Sequence, residues 1–95
     1  MAVGLWVSFA DGTREQYDAV NAEIGVDENP PRGLVFHISG PMEGGWNAID
    51  VWESREAFDR FLQERLGPAI AALGDEAPPN PPNVKEFEVY NTISG

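Results

Sequence analysis

From Val3 to Phe9 the chain alternates, with Val3, Leu5, Val7 and Phe9 on one side and Gly4, Trp6 and Ser8 on the other. A period of two predicts a strand, and here both of its faces are partly apolar. Asp11-Gly12 reads as a turn. Thr13 and Gln16 then form the two ends of a capping box. Tyr17, Val20, Asn21 and Ile24 follow at helical spacing on one stripe, and Gly25 can end the helix. Val26 to Arg32 is a loop with two prolines. Leu34 to Ser39 predicts a second strand, with Leu34, Phe36 and Ile38 facing one way and Val35, His37 and Ser39 the other. The glycine-rich run Gly40 to Gly45 reads as a hairpin turn into a third strand, Trp46 to Glu53. Along it Trp46, Ala48, Asp50 and Trp52 share a face.

Ser54 is a good N-cap, and Glu56 sits in the first turn, where the helix dipole favours an anion. The predicted helix runs from Arg55 to about Leu66, with Phe58, Phe61, Leu62 and Leu66 inward. Gly67-Pro68 is expected to break it, and Ala69 to Leu73 can form one further turn. Ala77 to Asn83 holds four prolines and predicts a stiff, extended connector. Val84 to Ile93 alternates again and predicts a last strand.

The element order is β-α-β-β-α-β. With right-handed crossovers this gives an α+β, ferredoxin-like sandwich: a four-stranded antiparallel sheet with both helices on one face. Residues 1–95 are expected to form one domain. The second sheet face would be bare yet apolar, which predicts a homodimer formed by two open sheet faces.

Charge narrows the partners. Asp and Glu number 16 against 6 Lys and Arg, a formal net charge of −10. That argues against nucleic acid and against anionic membranes, whose binders need basic patches. No apolar run approaches the roughly 20 residues needed to cross a bilayer, and no signal peptide is evident. The chain has no cysteine, which fits a cytoplasmic setting. Its one histidine offers no metal-ligand spacing, so no metal is expected.

The element order, the joint Val51-Trp52-Glu53-Ser54 and the following Glu56-Ala57-Phe58 resemble the dimeric α+β-barrel proteins. The named group most similar is the antibiotic biosynthesis monooxygenase family, which includes haem-degrading and quinone-forming members. Gly33 to His37, Glu43 to Trp46 and Arg65 to Pro68 look like a bacterial branch of small, mostly uncharacterised proteins in that superfamily. The resemblance implies a ligand cavity between the sheet and its own helices, with the opposite sheet faces meeting in the dimer. Trp52 matches the tryptophan that lines the cavity of the haem-degrading members. Their strand asparagine is replaced by Trp6 and Ser8, and their haem-ligating helix histidine by Leu62, Glu64 or Leu66. Haem degradation is therefore disfavoured, and no cofactor is expected.

If Trp52 faces the cavity, Trp46, Ala48 and Asp50 face it too. Depending on the hairpin loop, His37 lies opposite Ala48 or opposite Asp50, and either register keeps His37, Asp50 and Ser39 together. Trp6 and Tyr90 are expected to join from neighbouring strands, with Tyr17 and Phe58 as the roof. Aromatic walls with few polar groups suit a small ligand. His37, oriented by Asp50, is the candidate base, since imidazole titrates near neutrality and a carboxylate fixes its tautomer. The activity this suggests is cofactor-independent monooxygenation of an aromatic or quinol substrate. The competing class is a non-catalytic module that binds a small molecule or uses only its dimer surface, with His37 as a hydrogen-bonded core residue. A Ser39-His37-Asp50 hydrolase lacks any nucleophile elbow or oxyanion hole.

Overall fold

The structure, a computed structural model, describes residues 2–95. Four strands, β1 (Val3–Ala10), β2 (Leu34–Met42), β3 (Gly45–Trp52) and β4 (Asn83–Glu88), form one antiparallel sheet in the order β2-β3-β1-β4. The helices α1 (Arg14–Ile24), α2 (Arg55–Phe61) and α3 (Gly67–Leu73) complete the ferredoxin-like α+β fold expected from the element order. None of the described helices is long and apolar enough to cross a membrane.

Local chemistry explains most boundaries. Thr13 accepts from the Gln16 amide and the Gln16 side chain accepts from the Thr13 amide, so α1 starts on a complete capping box. It ends at Gly25, whose φ of 76° is left-handed and suits glycine. Ser54 caps α2 by accepting from the Ala57 amide.

The expected break at Gly67-Pro68 does not occur. A π-helical turn, Leu62–Leu66, joins α2 to α3 without a gap. The Gly67 amide reaches back five residues to the Leu62 carbonyl, and Pro68 falls in the first turn of the resumed α-helix, where its missing N–H is tolerated. A side chain at Gly67 would put its Cβ 3.0 Å from the Leu62 oxygen, so glycine eases that approach.

Two strand readings also need correction. A bulge between Leu34 and Phe36 splits the apolar set of β2. Leu34 pairs with Trp52 on the inner face, while Phe36 and Ile38 pair with Val51 and Ile49 on the outer face. The last strand stops at Glu88, opposite Val3. The Val89 amide still reaches the Ala2 carbonyl, but the described part of the chain offers no strand partner beyond it.

The core lies between the inner sheet face and the helices. Leu5, Val7, Trp52 and Phe58 form its buried centre. Trp52 and Phe58 meet edge to face, with ring centroids 5.7 Å apart. The outer face carries half-exposed Trp6, Phe36, Ile38, Ile49 and Phe87. Leu5 is fully buried, and Leu5→Ala is expected to cost about 2–5 kcal/mol of stability in chemical denaturation. A loss well under 1 kcal/mol would show that this layer collapses readily around the gap.

Candidate functional site

The β2–β3 hairpin sets the geometry of the site. Met42 pairs with Gly45, which leaves Glu43-Gly44 as a two-residue turn with Gly44 at φ 85°. That count fixes His37 opposite Asp50. Their side chains meet on the inner face, His37 Nδ1 to Asp50 Oδ1 at 2.5 Å. Asp50 is buried, and its second oxygen accepts from the Trp52 indole N–H at 3.2 Å. A buried carboxylate left without donors would be strongly unfavourable, and here each oxygen has one.

The relay continues into α1. The Tyr17 hydroxyl lies 2.6 Å from His37 Nε2, and the two rings are within 4° of coplanar. Trp46, two turns of the pleat from Asp50, supports Tyr17 with ring centroids 5.3 Å apart. The Trp46 indole N–H is buried and has no hydrogen-bond partner among the described residues.

Electrostatics follow from this contact set. The hydrogen bond to Asp50 raises the pKa of His37 to about 9; burial opposes it, and the Tyr17 bond and the Asp50 charge add to it. At neutral pH His37 is therefore an imidazolium that donates from both ring nitrogens, to Asp50 and to the Tyr17 oxygen. Burial alone would raise the Tyr17 hydroxyl. The side chains of Ser39, His37 and Asn21, together with the His37 charge, outweigh it and lower the Tyr17 pKa. The His37 side chain keeps 34% of its surface exposed, so a ligand can reach it.

A cavity of about 360 Å³ opens between the inner sheet face and the helices. His37, Asp50, Trp52, Tyr17 and Phe58 all line it. Two expected site residues stand elsewhere. Trp6 points to the outer face, where its indole N–H donates to Asn47 Oδ1 at 3.1 Å. Both faces of β1 are apolar in sequence, so alternation alone did not say which one is inward. Tyr90 lies beyond the shortened β4 and is 97% exposed. Ser39 is exposed and does not itself line the cavity, but it shares the His37 face and its side chain bonds Tyr17 there.

Tyr17, Trp46 and Asn21 carry more of the site than the sequence indicated. Tyr17 is a direct hydrogen-bond partner of His37, whereas its stripe position indicated only a roof. Trp46 and Asn21 line the cavity as well; both were legible as facing it, from the β3 alternation and the α1 stripe. Among the described residues, no group of three or more His, Asp or Glu side chains is placed to hold a metal.

No family model matches the chain, and no curated protein matches it. Solved structures do. A monooxygenase from the gene ActVA-Orf6 of Streptomyces coelicolor, solved with the ligand nanaomycin D, superposes with a TM-score of 0.63 at 20% identity, over 99% of this chain and 91% of that one. SnoaB, a cofactor-independent oxygenase from Streptomyces nogalater, gives 0.64 at 18% identity, over 99% and 97%. A dimeric ferredoxin-like protein of unknown function from Jannaschia gives 0.64 at 13% identity, over 94% and 100%. These likenesses extend along nearly the whole chain and show its fold to be that of the antibiotic biosynthesis monooxygenase-like, ferredoxin-fold proteins.

The histidine titration is directly measurable. NMR of the imidazole is expected to show an apparent pKa of about 9, and Asp50→Asn should bring it down toward the ordinary 6.5. Because the folded value lies above the unfolded one, the pair's contribution to stability is fully present below about pH 6.5. It is lost as pH rises through about 9. A titration near 6.5 in the unaltered protein would contradict the pairing.

Proposed function

We propose that the protein is a cofactor-independent monooxygenase acting on a small phenolic or quinol substrate. The observation that carries this reading is the Tyr17–His37–Asp50–Trp52 relay on the wall of an aromatic cavity. The oxygenases of the same fold support it as analogy only. The substrate ring packs among Trp46, Trp52 and Phe58, with its hydroxyl taking the place of the Tyr17 hydroxyl at His37 Nε2.

His37 takes the hydroxyl proton, and Asp50 stabilises the imidazolium that results. The phenolate is held by that imidazolium. Its electron-rich ring carbon adds dioxygen to give a hydroperoxide, which loses water to leave a quinone carbonyl. One oxygen atom enters the product and the other leaves as water, so the ring supplies all four electrons.

A base whose pKa is about 9 is mostly protonated at pH 7. For a phenol that ionises above pH 9, kcat/KM is expected to rise close to tenfold per pH unit from pH 7, then level off near 9. A flat profile between pH 6 and 8 would remove His37 as the base. His37→Ala should lower kcat/KM by roughly 10²–10⁴-fold while the ligand still binds. Binding with no turnover in the unaltered protein would favour the non-catalytic module instead.

The same proposal includes a homodimer joined through the outer sheet face. Exposed Trp6, Phe36, Ile38, Ile49 and Phe87 support it, because apolar side chains clustered on one sheet face mark an interface. The dimeric state of the Jannaschia protein supports it too. Light scattering is expected to give twice the 10.4 kDa chain mass, and Ile38→Asp should yield monomer. A monomer at micromolar concentration in the unaltered protein would contradict it.

A further inference from the structure

The chain is strongly acidic, yet half of its six basic side chains gather in one place. Arg32, Arg60 and Arg65 line a second pocket of about 270 Å³, with Glu64 as the one carboxylate among its walls. Pro30 and Phe61 line this pocket and the main cavity alike, so the two spaces share a wall. The three guanidinium groups differ in how far they are already occupied. Arg65 donates to the carbonyls of Ile24 and Asn29, at 3.1 and 2.6 Å, and holds the loop after α1. Arg60 has only a long, exposed contact with Glu56, at 3.4 Å. Arg32 is exposed and makes no ion pair among the described residues.

A chain with net charge −10 repels anions at long range, so local positive charge of this kind has a specific effect. Guanidinium groups suit a carboxylate, which they can hold by charge-assisted, two-pronged hydrogen bonds. Both of the less occupied arginines line the second pocket, which Pro30 and Phe61 join to the main cavity.

We propose that Arg32 and Arg60 form an anion subsite that binds the carboxylate of an aromatic acid whose ring occupies the main cavity. This rests on the cavity being a ligand site and narrows the substrate class to aromatic acids. It does not depend on the oxidation step. Arg65 shapes the subsite by fixing the loop.

The test is a binding titration at pH 7, followed by tryptophan fluorescence or calorimetry, with 6-hydroxy-2-naphthoic acid and its methyl ester as probes. The acid is expected to bind at least about tenfold more tightly than the ester. The double variant Arg32→Gln/Arg60→Gln should bring the two affinities together while leaving that of the ester unchanged, which shows the cavity intact. His37→Ala should leave the acid-to-ester ratio as it is. Equal binding of acid and ester, a preference that survives the double variant, or failure of both probes to bind overturns the subsite. Preference for the acid without oxidation in air supports the subsite while removing the monooxygenase reading.

Discussion

A buried carboxylate organises this molecule. Asp50 sits on a central strand under the helices, where an ionised group is tolerated only with donors on both oxygens. Trp52, two residues along the same strand, supplies one, and His37, directly across the hairpin, supplies the other. Each donor is then fixed in turn. Trp52 cannot rotate away without exposing Asp50 and unpacking Phe58. His37, charged by its partner, turns its second nitrogen to Tyr17 and so ties α1 to the sheet. One unfavourable burial thus links three elements and leaves a polarised line of groups along an otherwise apolar cavity.

Much of this was legible in the sequence because local rules and pairing rules agreed. Thr13 with Gln16, Gly25 and Ser54 mark helix ends by specific hydrogen bonds or backbone angles, and the structure uses each as written. The failures arose where a local rule met a tertiary constraint. Pro68 does disturb its helix, but a π turn absorbs the disturbance and the apolar face continues. The bulge at Val35 is invisible to alternation, since it inserts a residue without changing composition. Val89 to Ile93 alternates like a strand, yet past the Val89–Ala2 contact the described residues offer it no strand partner.

The site divides in the same way. His37, Asp50 and Trp52 are joined by strand parity and a short hairpin, both of which are arithmetic on residue numbers. Trp6 required knowing which apolar face of β1 turns inward, and an acidic, aromatic-rich sequence holds no such information. The arginine pocket was out of reach for another reason. Arg32, Arg60 and Arg65 come from a loop and two helical segments, and only the packing of the π turn against the loop after α1 brings them together.

The central claim is that the His37–Asp50 pair prepares the cavity for a phenolate. The most direct measurement is the visible absorption of 4-nitrophenol bound to the protein, followed as a function of pH. The account predicts that the bound probe ionises at a lower pH than the free phenol, and that His37→Gln abolishes the difference. A bound probe that titrates like the free one, or a shift that survives loss of the imidazole, would contradict it.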